Sequence, residues 1–287
     1  MKTSASTLEL NGRKISYRRV GDGLRKVLFF HGFPGSSAQV LPFLDSAKDL
    51  NLEVICLDRP GYNQTSAQSE NQFQQTVTDA MAVMQNLNWK SCEVISVSGG
   101  TPFLFSFVQA FPHFVSRVTV VSGLGPIARA EFASSVSFKT KCALKLLPHL
   151  PGSVFQKILP SSGKAKKSAF NPVRFFLPAS RADLKAMQNT SLQNILMQAL
   201  QEAFMQSGHG PQRDAGAYLS KWSTSLPQFT GPITIWHGTE DMILSPTMAE
   251  TMAKSLPQAK LNLIAGEGHY SLAFNRIHEM LAYPTTT

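Results

Sequence analysis

Short runs of consecutive apolar residues recur along the first half of the chain, at 26–32, 52–61, 92–98 and 116–123, and most close on glycine or a Pro-Gly pair. Runs of this length suit strands buried on both faces. Between the second and third runs, Phe73, Val77, Met81, Met84 and Leu87 recur at helical spacing, which predicts a helix lying on a core. Ser69 and Gln72 have the spacing of a capping box at its start. Residues 37–50 can form a second helix, and 99–111 a third that Pro112 ends. Ahead of all these, Asn11-Gly12 reads as a hairpin turn between two short strands. Strand and helix in alternation predict an α/β fold with a mostly parallel central sheet and helices on both faces.

After Pro126 the strand rhythm stops. Residues 127–230 alternate helical stretches with breaks at Pro148, Pro151, Pro160, Pro172 and Pro178, and no strand is convincing there. The rhythm then returns: a strand at 232–238, a helix at 247–256, a strand at 259–268 and a helix at 271–283. The expected organisation is a core of residues 1–126 and 231–287, with 127–230 inserted as a helical cap.

Composition supports this picture. The chain has 287 residues, 43% hydrophobic and 16% charged, enough to bury a sizeable core and unlike a disordered chain. No apolar run approaches the roughly 20 residues of a spanning helix. The first residues carry one early lysine and no apolar h-region, which predicts no secretory signal. Cys56, Cys92 and Cys142 fit no metal spacing; two sit in apolar runs, as buried reduced thiols do, so a cytoplasmic location is expected.

The formal net charge of +9 is unevenly placed. Residues 127–230 hold 13 basic and 4 acidic side chains, while the rest of the chain balances 14 against 14. That excess reads either as a solvated helical surface or as an attraction for an anionic substrate or surface. No recognised nucleic-acid module accompanies it, so no nucleic-acid partner is expected.

The strongest local chemical signal is Ile95-Ser96-Val97-Ser98-Gly99-Gly100, where a buried strand passes abruptly into a helix. A nucleophile elbow needs that setting, because its serine takes a strained conformation that lifts the hydroxyl clear of the sheet. The strain crowds positions −2 and +2, so both must be small. For Ser98 these are Ser96 and Gly100; for Ser96 as nucleophile the −2 residue would be the bulky Val94. A serine hydroxyl needs a base, and the base an orienting acid. His269 and Asp241 follow apolar strands in the last quarter, with Glu240 an adjacent alternative acid.

Five motifs in order resemble those of the cap-containing α/β-hydrolase family: His31-Gly32-Phe33-Pro34, Asp58-Arg59-Pro60-Gly61-Tyr62, the elbow, His237-Gly238-Thr239-Glu240-Asp241 and Gly266-Glu267-Gly268-His269. The likeness covers about residues 8–126 and 231–283; 127–230 match nothing nameable, and Ser96 departs from the family's usual glycine. The resemblance implies Ser98 as nucleophile, Asp241 as acid and His269 as base. It also implies an oxyanion hole from the backbone N–H groups of Phe33 and Gly99. His31 resembles a loop-stabilising histidine and His237 part of a structural turn. No metal and no cofactor are expected. The implied activity is serine hydrolysis of a small carboxylic ester or related acyl substrate through an acyl-enzyme. Carbon–carbon bond hydrolysis, acyl transfer and a low-turnover ligand receptor are alternatives on the same fold. Phe138, Leu146 and Phe155 are apolar candidates for the pocket.

Overall fold

The computed structural model describes residues 3–68, 71–152, 154, 179–256 and 258–282. Two strands form the expected hairpin, β1 (Thr3–Leu10) and β2 (Arg13–Val20). Asn11 and Gly12 both take positive φ, 51° and 74°, as a two-residue turn between twisted strands requires. Then come β3 (Arg25–Phe30), α1 (Leu44–Asp49), β4 (Leu52–Leu57), α2 (Gln72–Asn86), β5 (Cys92–Val97), α3 (Thr101–Ala110) and β6 (Val115–Val121). The eight-stranded sheet has the order β1-β2-β4-β3-β5-β6-β7-β8, with β7 (Ile233–Gly238) and β8 (Ala259–Ile264) added after the insertion. Only the β1–β2 and β2–β4 pairings are antiparallel.

Alternating side chains of the strands feed two cores. Leu28, Phe30, Ile55, Leu57 and Val94 join α2 and α3 on one face; Val27, Phe29, Val54, Cys56 and Ile95 face α1 and the last helix on the other. The predicted stripe of α2 lies on the first core: Phe73, Val77 and Met84 are buried, and Met81 and Leu87 pack beside them. Its N-cap is Asn71, whose side chain accepts from Phe73 and Gln74 N–H. Of the capping box expected at 69–72, Ser69 lies outside the described residues. The helix expected over 37–50 divides into a 3-10 stretch, Ser37–Phe43, and α1, because Pro42 cannot donate an α-helical hydrogen bond.

Among the described residues between β6 and β7 there is no strand, only an isolated bridge from Val136 to Leu244. Helices α4 (Ala130–Ala133), α5 (Phe138–Leu146), α6 (Arg181–Ala186), α7 (Thr190–Ala203) and α8 (His209–Leu219) occupy that stretch. Helices α9 (Pro246–Lys254) and α10 (His269–Ala282) complete the fold. Phe138 and Leu146 are 81% and 58% exposed and face solvent; Phe155 lies outside the described residues.

Charged side chains between β6 and β7 reach back to residues that precede β5. Asp214 of α8 accepts from Arg59 Nε at 2.7 Å, from Tyr62 Oη at 2.7 Å and from Gln72 Nε2 at 3.0 Å, with Arg59 and Asp214 both buried. Glu202 of α7 accepts from Arg18 Nη1 at 2.8 Å and from Ser36 Oγ at 2.6 Å. Deleting one partner of a buried ion pair strands the other charge, at about 3–5 kcal/mol. Asp214→Ala is therefore expected to lower the unfolding free energy by that amount, read from urea or guanidinium denaturation; a loss below about 1 kcal/mol would contradict the buried pairing.

Candidate active site

Ser98 stands at the C-terminal end of β5 with φ 52°, the left-handed region that a side chain normally avoids. The chain turns there through a 3-10 step, Ser98–Gly100, into α3. Neighbouring backbone fixes the turn: Leu124 N–H donates to Ser98 O at 3.1 Å, and Tyr218 Oη donates to Gly99 O at 2.8 Å. Crowding explains the small residues. A Cβ on Gly100 would lie 2.2 Å from Phe30 O, and buried Ser96 uses its small size to exchange a 3.1 Å hydrogen bond with the Thr101 hydroxyl.

The loop after β7 and the start of α10 bring the other two groups to the same rim. His269 is the first residue of α10, so the helix begins two residues before the expected 271. Ser98 Oγ lies 3.0 Å from His269 Nε2, and His269 Nδ1 lies 2.7 Å from Asp241 Oδ2. The other oxygen, Asp241 Oδ1, accepts from the N–H groups of Ile243 and Leu244, both at 2.9 Å. Glu240 is exposed, so Asp241 alone of the two acids meets the imidazole. His237, read from sequence as a turn residue, is buried on β7, with Nε2 3.3 Å from Asp241 Oδ2 and 2.9 Å from Leu244 O.

Electrostatics follow from this packing. Burial alone would raise the Asp241 pKa; His269 and His237 outweigh it and hold the carboxyl well below the usual carboxylate range. For His269, burial opposes the charged form, yet Asp241 and, more weakly, Asp183 raise its pKa above the ordinary imidazole value. His31 goes the other way. Burial and then the Arg59 charge lower its pKa well below normal, and its Nδ1 donates to Gly32 O at 2.9 Å.

Phe33 and Gly99 come into contact: a Cβ on Gly99 would lie 2.5 Å from Phe33 Cβ and 2.7 Å from Tyr218 Oη. The Phe33 loop is held from below by Arg59, whose Nη1 donates to His31 O at 2.7 Å and whose Nη2 reaches Gly32 O at 3.4 Å. From above, the Tyr218 ring meets the Phe33 ring edge-on, 5.2 Å between centroids. Tyr218 and Asp214 were not singled out from sequence; a tyrosine and an aspartate four apart on one helix face were the only signal. Among the described residues no group of three or more His, Cys, Asp or Glu could hold a metal ion. No helix there is long and apolar enough to cross a membrane.

Residues 26–275 match the family model of the alpha/beta hydrolase fold, and the chain belongs to that family. Within it, the chain is 26% identical over 254 residues to protein ABHD8 of Bos taurus, a match covering 85% of this chain. It spans about half the length of that curated relative, 51%. Solved structures with the same fold include an esterase from Thermogutta terrifontis, at 15% identity and TM-score 0.65 over 97% of this chain and 96% of that one. An enol-lactonase from Burkholderia xenovorans LB400 aligns at 12% identity and TM-score 0.67, over 96% of both chains.

Two glycine substitutions test the local geometry against each other. Gly100→Ala must push its methyl into the Phe30 carbonyl, and overpacking of this kind costs roughly 1–3 kcal/mol. Gly216→Ala on α8 meets nothing within 4 Å and is expected to stabilise by roughly 0.5–1 kcal/mol. Thermal melts of the two variants should shift in opposite directions; a neutral Gly100→Ala would mean that the turn is looser than described.

Proposed function

We propose that the chain is a serine hydrolase that cleaves a small carboxylic ester or related acyl substrate. The observation that carries this reading is the unbroken chain of hydrogen bonds from Ser98 Oγ through His269 to Asp241, at 3.0 and 2.7 Å. A serine hydroxyl is a weak nucleophile, and a base within hydrogen-bond reach, oriented by a third group, activates it. His269 takes the Ser98 proton as Oγ attacks the acyl carbonyl, and Asp241 stabilises the imidazolium that forms. The tetrahedral oxyanion is stabilised by the N–H groups of Phe33 and Gly99. His269 then gives its proton to the departing alkoxide, leaving an acyl-Ser98. A water molecule, deprotonated by the same imidazole, releases the carboxylic acid and restores Ser98.

Residues 127–230 are read as the cap of this site. Support comes from Tyr218, which leans on Phe33 and bonds to Gly99 O. The esterase and enol-lactonase likenesses support acyl chemistry in general and leave the acyl group open. A cytoplasmic location is part of the same reading and rests on three unpaired cysteines, two of them buried.

A fluorophosphonate tests the nucleophile directly. Ser98 Oγ displaces fluoride and becomes phosphonylated, which intact-mass spectrometry reads as one added phosphonyl group. Wild type is expected to label, and Ser98→Ala and His269→Ala are not; labelling that persists in Ser98→Ala would refute this nucleophile. The pH dependence has a definite sign. The base must be neutral, so kcat/KM on a p-nitrophenyl ester rises with pH through the His269 ionisation. Because that pKa is raised, half-maximal activity is expected above about 6.5. Asp241→Asn removes the larger of the two raising charges. Its midpoint should move to lower pH, and its rate should fall on the order of 10^4-fold.

A further inference from the structure

Asp183 lies in the inserted segment, 86 residues before His269, and its carboxylate is fully buried against the start of α10. Oδ1 accepts from the N–H groups of Tyr270 at 2.7 Å and Ser271 at 2.9 Å. Oδ2 accepts from His269 N–H at 3.2 Å and from Ser180 N–H at 3.2 Å. The first N–H groups of a helix have no partner within it, and here one distant carboxylate satisfies three of them. The fit is close: a Cβ on Gly268 would lie 2.4 Å from Asp183 Oδ2 and 2.2 Å from Ser180 Oγ. Asp183 is itself fixed, since its own N–H donates to Ser180 Oγ at 3.1 Å in a reciprocal capping box.

We propose that Asp183 is a positioning residue for the base: by capping α10 from the inserted segment, it sets the place and the charge environment of the His269 imidazole. The proposal rests on the triad reading above and extends it to a residue that never touches Ser98. The groups facing this end of α10 are few. Asp241 and His237 come from the β7 side, Asp183 from α6, and the Tyr270 ring stands edge-on to the imidazole at 5.3 Å. Glu267, on the preceding loop, is held by Asn275 and Arg276 and lines a cavity with Lys185 of α6. Helix α1 packs on α10 with Asp45, Lys48 and Asp49 in solvent, and Arg25 and Arg117 bind carbonyls at the far end. Asp241 and Asp183 are thus the two carboxylates whose charge bears on the imidazole.

The test uses full-length protein with 15N-labelled histidine. The His269 titration midpoint is followed by NMR, assigned with His269→Gln, and fluorophosphonate labelling rates are measured across pH. Asp183→Asn keeps an oxygen acceptor at the helix start and removes the charge. It is expected to move the His269 midpoint to lower pH while labelling at the high-pH plateau falls only a few-fold. Asp183→Ala removes both, and the plateau rate is expected to fall about tenfold to a hundredfold as the ring loses register with Ser98. Ser180→Ala loosens α6 without touching the carboxylate and should leave the midpoint in place. An unmoved midpoint in Asp183→Asn, or an equal shift in Ser180→Ala, overturns the proposal. Absent labelling of wild type would count against the hydrolase reading alone, because the NMR midpoint still decides whether Asp183 governs the imidazole.

Discussion

Five of the seven strand pairings in the sheet are parallel, and that direction is what assembles the site. In a parallel sheet every strand delivers its C-terminal end to the same edge, and each crossover must return beneath it. Strands β5, β7 and β8 therefore release Ser98, the Asp241 loop and the turn into α10 along one rim, although Ser98 and His269 are 171 residues apart. An antiparallel β7 or β8 would send its loop to the opposite edge. The 104-residue stretch between 127 and 230 can enter between β6 and β7 without breaking this arrangement, because those two strands still pair in parallel from Val118–Ile233 to Val121–Trp236.

Charge burial sharpens at the surface the uneven distribution seen in the sequence. Of the four acidic residues at 127–230, Asp183, Glu202 and Asp214 are buried, and each meets the core: the start of α10, Arg18 with Ser36, and Arg59 with Tyr62. A buried carboxylate is tolerable only when paired or fully hydrogen-bonded, so these residues are confined to the few core sites that offer donors. Among the described basic residues of this stretch, Lys139, Lys145 and Lys221 lie toward solvent. With three of its four acids turned inward, the positive excess of this segment is left facing solvent at the described lysines. Two of the three contact segments beside Ser98: Asp183 the start of α10, and Asp214 the Arg59 side chain that binds the His31 carbonyl.

How far the sequence carries depends on whether a feature is local. Buried strands, the α2 stripe and the Asn11-Gly12 turn are set by short-range pattern, and they were legible. So was the tight turn at Ser98, because the need for small residues at 96 and 100 is written within three positions of it. Motif spacing points to Asp241 and not Glu240 as the acid; in the fold Asp241 faces inward and Glu240 is exposed. What pattern could not reveal was pairing across long separations: Asp183 with α10, Asp214 with Arg59, Glu202 with Arg18. A capping box at Ser180 and Asp183 is visible in sequence, but nothing local says that the same carboxylate also caps a helix 86 residues away. Phe138 and Leu146 lie exposed, a placement the sequence does not show, since apolarity alone does not tell which face of a helix meets a neighbour.

The position of His269 at the first turn of a helix raises a physical difficulty that the surrounding carboxylates answer. Helix N-termini carry partial positive charge, which disfavours an imidazolium and lowers the basicity of the ring. Burial acts in the same direction. Two negative groups oppose these effects from different sides: Asp241 through the ring Nδ1, and Asp183 through the backbone N–H groups that are the source of the dipole's positive end. Because the second of these belongs to the inserted segment, the basicity of the imidazole is coupled to how that segment is seated. The three side chains in line all lie outside residues 127–230, but the environment that keeps the ring protonatable includes a carboxylate from within that stretch.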